Sequence, residues 1–307
     1  MKIIITGATG LIGKKICKSL IDRGDEIIIF SRNSSNAKEK IPGAKKYIDW
    51  DYRNPSGWKH EIDGTDAVIH LAGANVSGKR WNETYKKNIF ESRIISTRNL
   101  VEAIKNVSLK PFVFITSSAT GYYGDKHDEV VNETSLPGND FLANVCLQWE
   151  NEAHFVEQYN VRQVSIRTGI VLSRNEGALK KMLLPFKLFI GGPIGNGKQW
   201  FPWIHIDDIV GIYLFSLDNN SISGAVNAAS PNAVTMKDFA GKLGKILHRP
   251  SIFSVPKFAL KIVLGEVADV ATASQRVYPK KLIDMNYNFR FKNLNEALED
   301  LLKIKTG

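Results

Sequence analysis

The stretch Ile5–Gly13, ITGATGLIG, decides the fold because it places three glycines between a short apolar strand and a helical pattern. The first glycine permits a tight turn, the second lets the backbone approach a pyrophosphate, and the third lets the helix pack closely on the strand. The start of the following helix adds free backbone N–H groups and the positive end of its dipole. The loop therefore predicts a dinucleotide site, with contacts from Gly7, Thr9, Gly10, Leu11, Ile12 and Gly13.

Short β-branched runs alternate with amphipathic helical patterns through the first half of the chain, which is typical of a parallel sheet built from βαβ units. The predicted class is therefore α/β, a Rossmann-type doubly wound parallel sheet. Strands are predicted at Lys2–Thr6, Glu26–Phe30, Lys46–Ile48, Asp66–Leu71, Phe112–Ser117, Val164–Leu172 and Val226–Ala229. Helices are predicted at Leu11–Arg23, Thr84–Lys105, Asn144–Tyr159, Asp207–Leu217 and Thr235–Leu247.

Two regions are predicted from the change of pattern after the first half. Residues 1–230 form the dinucleotide-binding domain, and 231–307 form a smaller substrate-side region packed on it. Within the first region, 173–203 is predicted as a substrate-side loop. Its stretch LPFKLFIGGPIGNGKQWFPW, Leu184–Trp203, is rich in Gly, Pro and aromatics, which favours an ordered loop or lid over a helix.

Composition limits the function classes. The 307 residues are 43% hydrophobic and 23% charged, and no apolar run approaches the roughly 20 residues that span a bilayer. The strand at the start leaves no room for a signal peptide, and two cysteines form no disulfide framework or zinc spacing. The net charge of +10 is scattered as lysine pairs rather than gathered in one stripe. We therefore expect a cytoplasmic protein with no metal, no membrane partner and no nucleic-acid partner.

The end of the second strand selects between the two nicotinamide dinucleotides. An acidic residue there would accept hydrogen bonds from the ribose hydroxyls of NAD. The chain instead has Ser31, Arg32 and Asn33, and a guanidinium is a planar donor suited to a 2′-phosphate. Arg32 could also be a solvated loop residue, but its position favours NADP(H) as the cofactor.

Further motifs resemble the extended short-chain dehydrogenase/reductases, and in particular the atypical "epimerase family protein" branch. They are HLAG at 70–73, ITSSATGYYG at 115–124, RTGIVL at 167–172, DFLANVCLQWE at 140–150 and IHIDD at 204–208. The resemblance implies further cofactor contacts from Leu71, Ala72, Gly73, Asn88 and Arg93, besides Ser31 and Arg32. It places Asp49 or Asp51 near the adenine with less support.

The resemblance also implies a catalytic Ser, Tyr and Lys, and here the chain departs from the pattern. Ser118 matches the serine, but the Tyr and Lys positions hold Leu142 and Cys146. Leucine transfers no proton, and a neutral thiol gives no fixed charge to lower the pKa of a phenol. The substitute acids considered are Tyr122 and Tyr123, although a role in packing or in the cofactor wall explains both better. His205 could also exchange a proton, although in its motif a hydrogen bond to backbone or to an Asp that fixes the lid explains it better. Lys198, Gln199 and Trp200 could contact a polar or phosphorylated substrate or belong to a plain ordered loop.

Two functions follow as hypotheses. The first is an NADP(H)-binding oxidoreductase or epimerase-like protein that transfers hydride on an unknown small substrate, such as a sugar nucleotide, without the usual Tyr/Lys pair. The second is a non-catalytic NADP(H) sensor or scaffold whose cofactor orders a surface for a partner. Either protein would be a monomer or a homodimer.

Overall fold

A seven-stranded, wholly parallel sheet forms the centre of the protein, as expected for the predicted α/β class. The computed structural model describes residues 1–302. The strands are β1 (Lys2–Thr6), β2 (Glu26–Ser31), β3 (Lys46–Asp49), β4 (Ala67–His70), β5 (Val113–Ala119), β6 (Val130–Val131), β7 (Arg162–Thr168), β8 (Ile170–Leu172), β9 (Trp200–Phe201), β10 (Trp203–His205), β11 (Gly224–Ala228), β12 (Val234–Thr235) and β13 (Arg276–Val277). The central order is β11-β7-β5-β4-β1-β2-β3, and the remaining strands form three two-stranded pairs.

Helices cover both faces of this sheet. They are α1 (Leu11–Asp22), α2 (Ser34–Lys40), α3 (Glu83–Asn106), α4 (Phe141–His154), α5 (Gly177–Lys187), α6 (Ile206–Asp218), α7 (Met236–Leu247), α8 (Lys257–Leu264), α9 (Val267–Thr272), α10 (Lys280–Asp284) and α11 (Leu294–Leu302). No helix within residues 1–302 is both long and apolar enough to cross a membrane.

Side chains alternate along the central strands and so form two cores. On β1, Ile3 and Ile5 pack with α1 and α6, whereas Ile4 packs with α3 and the aromatic rings of Trp50 and Trp58. The larger core also takes in α7 and α11, so these two helices of the region 231–307 share a core with the sheet. Residues 303–307 of that predicted region lie outside the described residues. The boundary at 230 stays a prediction.

Two predicted elements were wrong. The predicted strand Val164–Leu172 is two strands, β7 and β8, and the break falls at Gly169, where a side chain would collide with the Pro202 carbonyl. The predicted loop 173–203 contains the helix α5, which continues through Pro185 to Lys187. Burial of Leu179, Leu183 and Phe186 along one face of α5 outweighs the unfavourable proline.

Candidate functional site

A cavity of about 520 Å³ lies where β1, β2, β3 and β4 end, at the edge of the sheet where open α/β folds bind their ligands. Nine of the thirteen predicted cofactor residues line it: Gly7, Thr9, Gly10, Ser31, Arg32, Leu71, Ala72, Gly73 and Asn88. Four do not line it: Leu11, Ile12, Gly13 and Arg93. The structure therefore brings the strand-end loops together around one space and leaves the start of α1 and part of α3 behind its wall.

The glycine loop has the shape that a dinucleotide cradle needs. Gly7 has φ +67°, and a Cβ there would lie 2.7 Å from the Leu71 carbonyl carbon. A Cβ on Gly13 would lie 2.5 Å from the Gly7 carbonyl oxygen, whereas one on Gly10 would stay 3.3 Å from that oxygen. Gly10 is the N-cap of α1 and provides no side-chain cap, so the first N–H groups of the helix are left for an anion. Gly7 and Gly13 therefore serve packing, and Gly10 keeps the cradle open.

The end of β2 presents donors and no carboxylate to the cavity. Arg32 is exposed, and Ser31 donates from its hydroxyl to the Asn33 carbonyl oxygen at 3.1 Å. None of the described residues that line the cavity is Asp or Glu. Asp49 accepts a hydrogen bond from the Ser34 amide at 2.8 Å, and neither it nor Asp51 lines the space. No carboxylate of the cavity wall therefore competes with a ligand for the guanidinium of Arg32.

A buried hydrogen-bond chain fixes the wall that follows β4. The Ala72 amide donates to Thr6 Oγ1 at 3.2 Å, and the Thr6 hydroxyl lies 2.6 Å from His70 Nδ1, to which it donates because the ring proton is on Nε2. Ser96 Oγ donates to the Ser92 carbonyl oxygen and therefore accepts from His70 Nε2 at 3.0 Å. Burial lowers the pKa of His70 to about 3, which keeps the ring neutral and in this tautomer. His70 thereby ties the strand-end wall to α3.

Arg93 on α3 brings a positive charge behind the same wall. Its guanidinium lies about 3 Å from the position that a Cβ on Gly73 would take, and it stacks on Trp149 at 5.1 Å from the ring centroid. Among the described residues its hydrogen-bond acceptor is the Ile89 carbonyl oxygen of its own helix, at 3.0 Å. Burial lowers the pKa of Arg93, and the neighbouring Cys146 acts in the opposite direction. A desolvated cation without a carboxylate partner favours an anionic or strongly polar ligand.

The predicted catalytic hydroxyls are not brought to the cavity. Ser118 is buried and donates to Glu150 Oε1 at 2.6 Å, and Glu150 in turn pairs with Arg167 at 2.8 Å. Tyr123 is fully buried, accepts from Arg167 and donates to Asn227 Oδ1 at 2.7 Å; burial raises its pKa to about 12. Tyr122 lies flat against Arg167, whose Cζ is 3.4 Å from the ring centroid, and burial raises its pKa. These side chains form a packed network between β5, β7 and α4.

The two replaced positions lie on α4, which Asp140 caps by accepting from the Ala143 amide at 2.9 Å. Leu142 packs against Gly121 just beyond β5. Cys146 is buried, and its burial raises the pKa of the thiol to about 12. The thiol is therefore neutral at physiological pH and supplies neither a nucleophile nor a charge.

The weaker candidates are occupied in structural contacts. His205 accepts from the Asp207 amide at 3.0 Å and caps α6, as the packing explanation of its motif requires. Its other nitrogen lies 3.3 Å from Asp300, and Asp207 is paired with Lys15 and Arg290. The ligand atoms of His205, Asp207 and Asp300 lie within 4.8 Å of one another, and the charge of Asp207 is balanced by Lys15 and Arg290.

The segment Lys198–Trp200 lies away from the cofactor cavity. Lys198 is exposed, and the buried Gln199 donates to the Ile194 carbonyl oxygen at 2.8 Å. Trp200 donates from its indole to Asp128 at 3.0 Å and lies beneath the guanidinium of Arg276. These contacts hold the glycine-rich loop in place.

Several cavity residues escaped the sequence analysis. Trp50 and Tyr52 line the space beyond β3, whereas Asp49 and Asp51, which alternate with them along the chain, do not. Side chains of an extended chain point alternately to opposite sides, so the two rings share the side that faces the cavity. The carboxyl end of β3 was the signal that could have found them. The others are Ala8, Phe30, Asn36, Ala74, Asn75, Tyr85 and Ser92.

Comparison with known proteins agrees with this architecture. The sequence model of the NAD-dependent epimerase/dehydratase family matches residues 3–229, and that of a domain of unknown function, DUF1731, matches 255–301. An epimerase family protein SDR39U1 homolog of Arabidopsis thaliana, described as chloroplastic, is 38% identical over 99% of this chain and 87% of its own. An epimerase family protein of Staphylococcus haemolyticus is 37% identical over 97% of this chain and 98% of its own. The crystal structure of human epimerase family protein SDR39U1 with NADPH superimposes with a TM-score of 0.89 and 31% identity, covering 99% of this chain and 100% of that one.

Proposed function

We propose that this chain, which belongs to the NAD-dependent epimerase/dehydratase family, binds NADP(H) in the cavity at the ends of β1–β4 and transfers hydride on a small substrate. The observation that carries the proposal is the pairing of an open glycine cradle with the unopposed guanidinium of Arg32 at the end of β2. The NADPH in the human relative supports the choice of cofactor.

Each part of the dinucleotide has a suitable neighbour in the cavity. The pyrophosphate would lie over the Gly7–Gly10 loop and the start of α1. Arg32, with Ser31 beside it, would hold the 2′-phosphate by charge-assisted hydrogen bonds. The rings of Trp50 and Tyr52 would form the apolar side of the adenine site.

The reaction would depend on electrostatics rather than on the usual proton donor. Bound NADPH supplies a hydride. Arg93, beside Gly73 and next to the Cys146 that replaces the usual lysine, would supply the fixed positive charge near the reacting end. Because Leu142 and Cys146 cannot donate the proton, another group or water would have to do so. The substrate centre that fits hydride chemistry is a carbonyl or carbinol carbon.

A second candidate is a non-catalytic NADP(H)-responsive protein. The observation that favours it is the sequestration of Ser118, whose hydroxyl is held by Glu150 rather than facing the cavity. Oxidation of bound NADPH by a panel of carbonyl compounds would favour the first candidate. Tight NADPH binding with no turnover would favour the second.

The proposal is tested by titrating the protein with NADPH and NADH and following the nicotinamide fluorescence. We expect tighter binding of NADPH, and we expect Arg32→Glu to weaken NADPH binding by roughly tenfold or more, because a charge-assisted contact becomes a repulsion. NADH binding should change little.

Lys38→Glu is the matched control, since it makes the same charge change on the exposed side of α2 outside the cavity. Equal affinity for the two dinucleotides, or equal losses in both variants, would contradict the assigned role of Arg32. A cytoplasmic location and a monomeric or homodimeric state remain proposals.

A further inference from the structure

Large apolar side chains are exposed together on two segments of the second half of the chain. Leu188, Phe189, Ile190, Phe253, Phe258 and Ile262 are each at least half exposed. We call this set the apolar surface. None of its members lines the cofactor cavity, so the inference stands apart from the proposed function.

Backbone contacts join the two segments into one surface. The Phe253 amide donates to the Gly191 carbonyl oxygen at 3.3 Å, and the Val255 amide donates to that of Pro193 at 3.0 Å. Two residues later α8 begins at Lys257. No residue of α8 is buried, although six of its eight residues are apolar. An apolar helix that packs so little against its own protein presents a face for another apolar phase.

Phe189, a member of this surface, has a strained backbone conformation. It has φ +63°, in the left-handed region that favours glycine, and it follows the end of α5. Its amide donates to the Phe186 carbonyl oxygen and the Ile190 amide donates to that of Pro185, which is the pattern of a helix end normally closed by glycine. A bulky exposed residue in this position strains the backbone without adding core packing, which favours a role in binding.

Basic charges predominate around the apolar surface. The segments 177–206 and 239–265 contain nine lysines and arginines and no Asp or Glu. Lys257 and Lys261 are partly balanced by Asp269, at 2.8 and 3.3 Å. Lys187 is exposed beside the apolar residues, and Arg249 lies over the Phe189 ring at 4.3 Å. A second copy of this chain would bring like charges together, so the surface fits an anionic partner.

We propose that the apolar surface binds the interface of an anionic phospholipid membrane. Its aromatic and aliphatic side chains would enter the boundary between headgroups and acyl chains, while the surrounding lysines and arginine contact lipid phosphates. The expectation of no membrane partner rested on the lack of an apolar run long enough to span a bilayer. A surface that lies on a membrane needs none.

Co-sedimentation of the full chain with vesicles tests the proposal. We expect binding to phosphatidylcholine vesicles containing phosphatidylglycerol, weaker binding to phosphatidylcholine alone, and a loss of binding at high salt. Phe189→Gly should weaken binding roughly tenfold, since it removes a phenylalanine side chain that would enter the membrane interface. The same substitution relieves the backbone strain, so the melting temperature should stay equal or rise. Phe258→Ser with Ile262→Ser should have the same effect on binding.

Two matched controls separate this surface from general effects. Leu136→Ser removes an exposed apolar side chain elsewhere, and Lys110→Glu makes the same charge change as the test variant Lys187→Glu. Both controls should bind as the parent protein does, whereas Lys187→Glu should bind anionic vesicles more weakly. Equal binding to both kinds of vesicle, unchanged binding by Phe189→Gly, or capture of acidic polypeptides without vesicle binding would overturn the proposal.

Discussion

Gly10 and Gly13 belong to the same glycine loop but have different structural roles. A Cβ at residue 13 would lie 2.5 Å from the Gly7 carbonyl oxygen and 2.7 Å from Ala8 Cα, both backbone atoms that cannot move aside cheaply. At residue 10 the nearest atom is 3.3 Å away. The sequence motif names both glycines for the cofactor, but only Gly10 faces the cavity.

We therefore expect Gly13→Ala to lower the free energy of unfolding by about 2 kcal/mol, because it overpacks the strand–helix contact. Gly10→Ala should cost less stability but should weaken NADPH binding more. Urea denaturation and nicotinamide fluorescence measure the two effects. Gly241→Ala, on α7 with open space around it, is the control and should leave binding unchanged and stabilise the helix slightly. Equal effects of the first two variants on stability would contradict the division of roles.

Some of the site could be predicted residue by residue, and some depended on distant partners. Arg32 was found because the end of a second strand has a known place beside a first-strand glycine loop. Ser118 was predicted by motif as a catalytic group, but Glu150, its partner, is 32 residues away along the chain. Local sequence shows that Ser118 lies on β5 and does not show which neighbour will take its hydroxyl.

At the scale of elements, α4 shows why restoring a catalytic pair by substitution is difficult. The helix packs closely on α3 and β5, and Trp149 donates to Thr97 Oγ1 at 2.9 Å across the contact. Cys146 is buried in that contact next to the Arg93 guanidinium. A lysine at this position would therefore add a second positive charge to a dry contact that already holds one.

We expect Cys146→Lys to lower the free energy of unfolding by about 3 kcal/mol or more, from desolvation and repulsion by Arg93. Combining it with Leu142→Tyr should still give no turnover of sugar nucleotides. Cys146→Met is the control, because it has a similar length without a charge and should cost clearly less. Thermal denaturation and an NADPH oxidation assay provide the measurements. A stable double variant with robust turnover would refute this account.

The helix α5 lies in a segment that was predicted as a loop, although its sequence contains a helical spacing of apolar residues. Its buried residues Leu179, Leu183 and Phe186 follow the i, i+4, i+7 spacing of a helix face. Pro185 and the following glycines favoured a loop instead. Tertiary burial decided the outcome, since these three side chains pack in the core although Pro185 removes a helix hydrogen bond.

At the scale of the whole molecule, the parallel sheet was predictable because its apolar runs are continuous and its order follows from right-handed crossovers. The exposed apolar surface could not be predicted, because hydrophobic periodicity alone does not distinguish a helix face that packs on the core from one that stays exposed. The apolar residues of α5 at 179 and 183 are buried while Leu184 and Leu188 are exposed, and α8 buries none. Only the packed structure separates these cases.

The stability of the whole protein should depend on pH through His70, which is buried and neutral in the chain that joins β1, β4 and α3. Its pKa is about 3 in the folded protein and 6.5 in the unfolded chain. The unfolded state therefore binds one more proton between these values, and the stabilisation is complete above pH 6.5 and is lost as the pH falls toward 3.

We expect the free energy of unfolding to fall by about 1.4 kcal/mol per pH unit from this group below pH 6.5. His205, whose pKa burial also lowers, acts in the same direction, so the contribution of His70 must be isolated by substitution. His70→Gln should reduce the slope of stability against pH, whatever it costs at neutral pH, because no ionisable group then remains at that position. His154→Gln, at an exposed histidine on the last turn of α4, should leave the slope unchanged. Urea denaturation between pH 7 and pH 5 measures the slopes. Parallel curves for the parent protein and His70→Gln would show that the buried ring is not the group that senses acid.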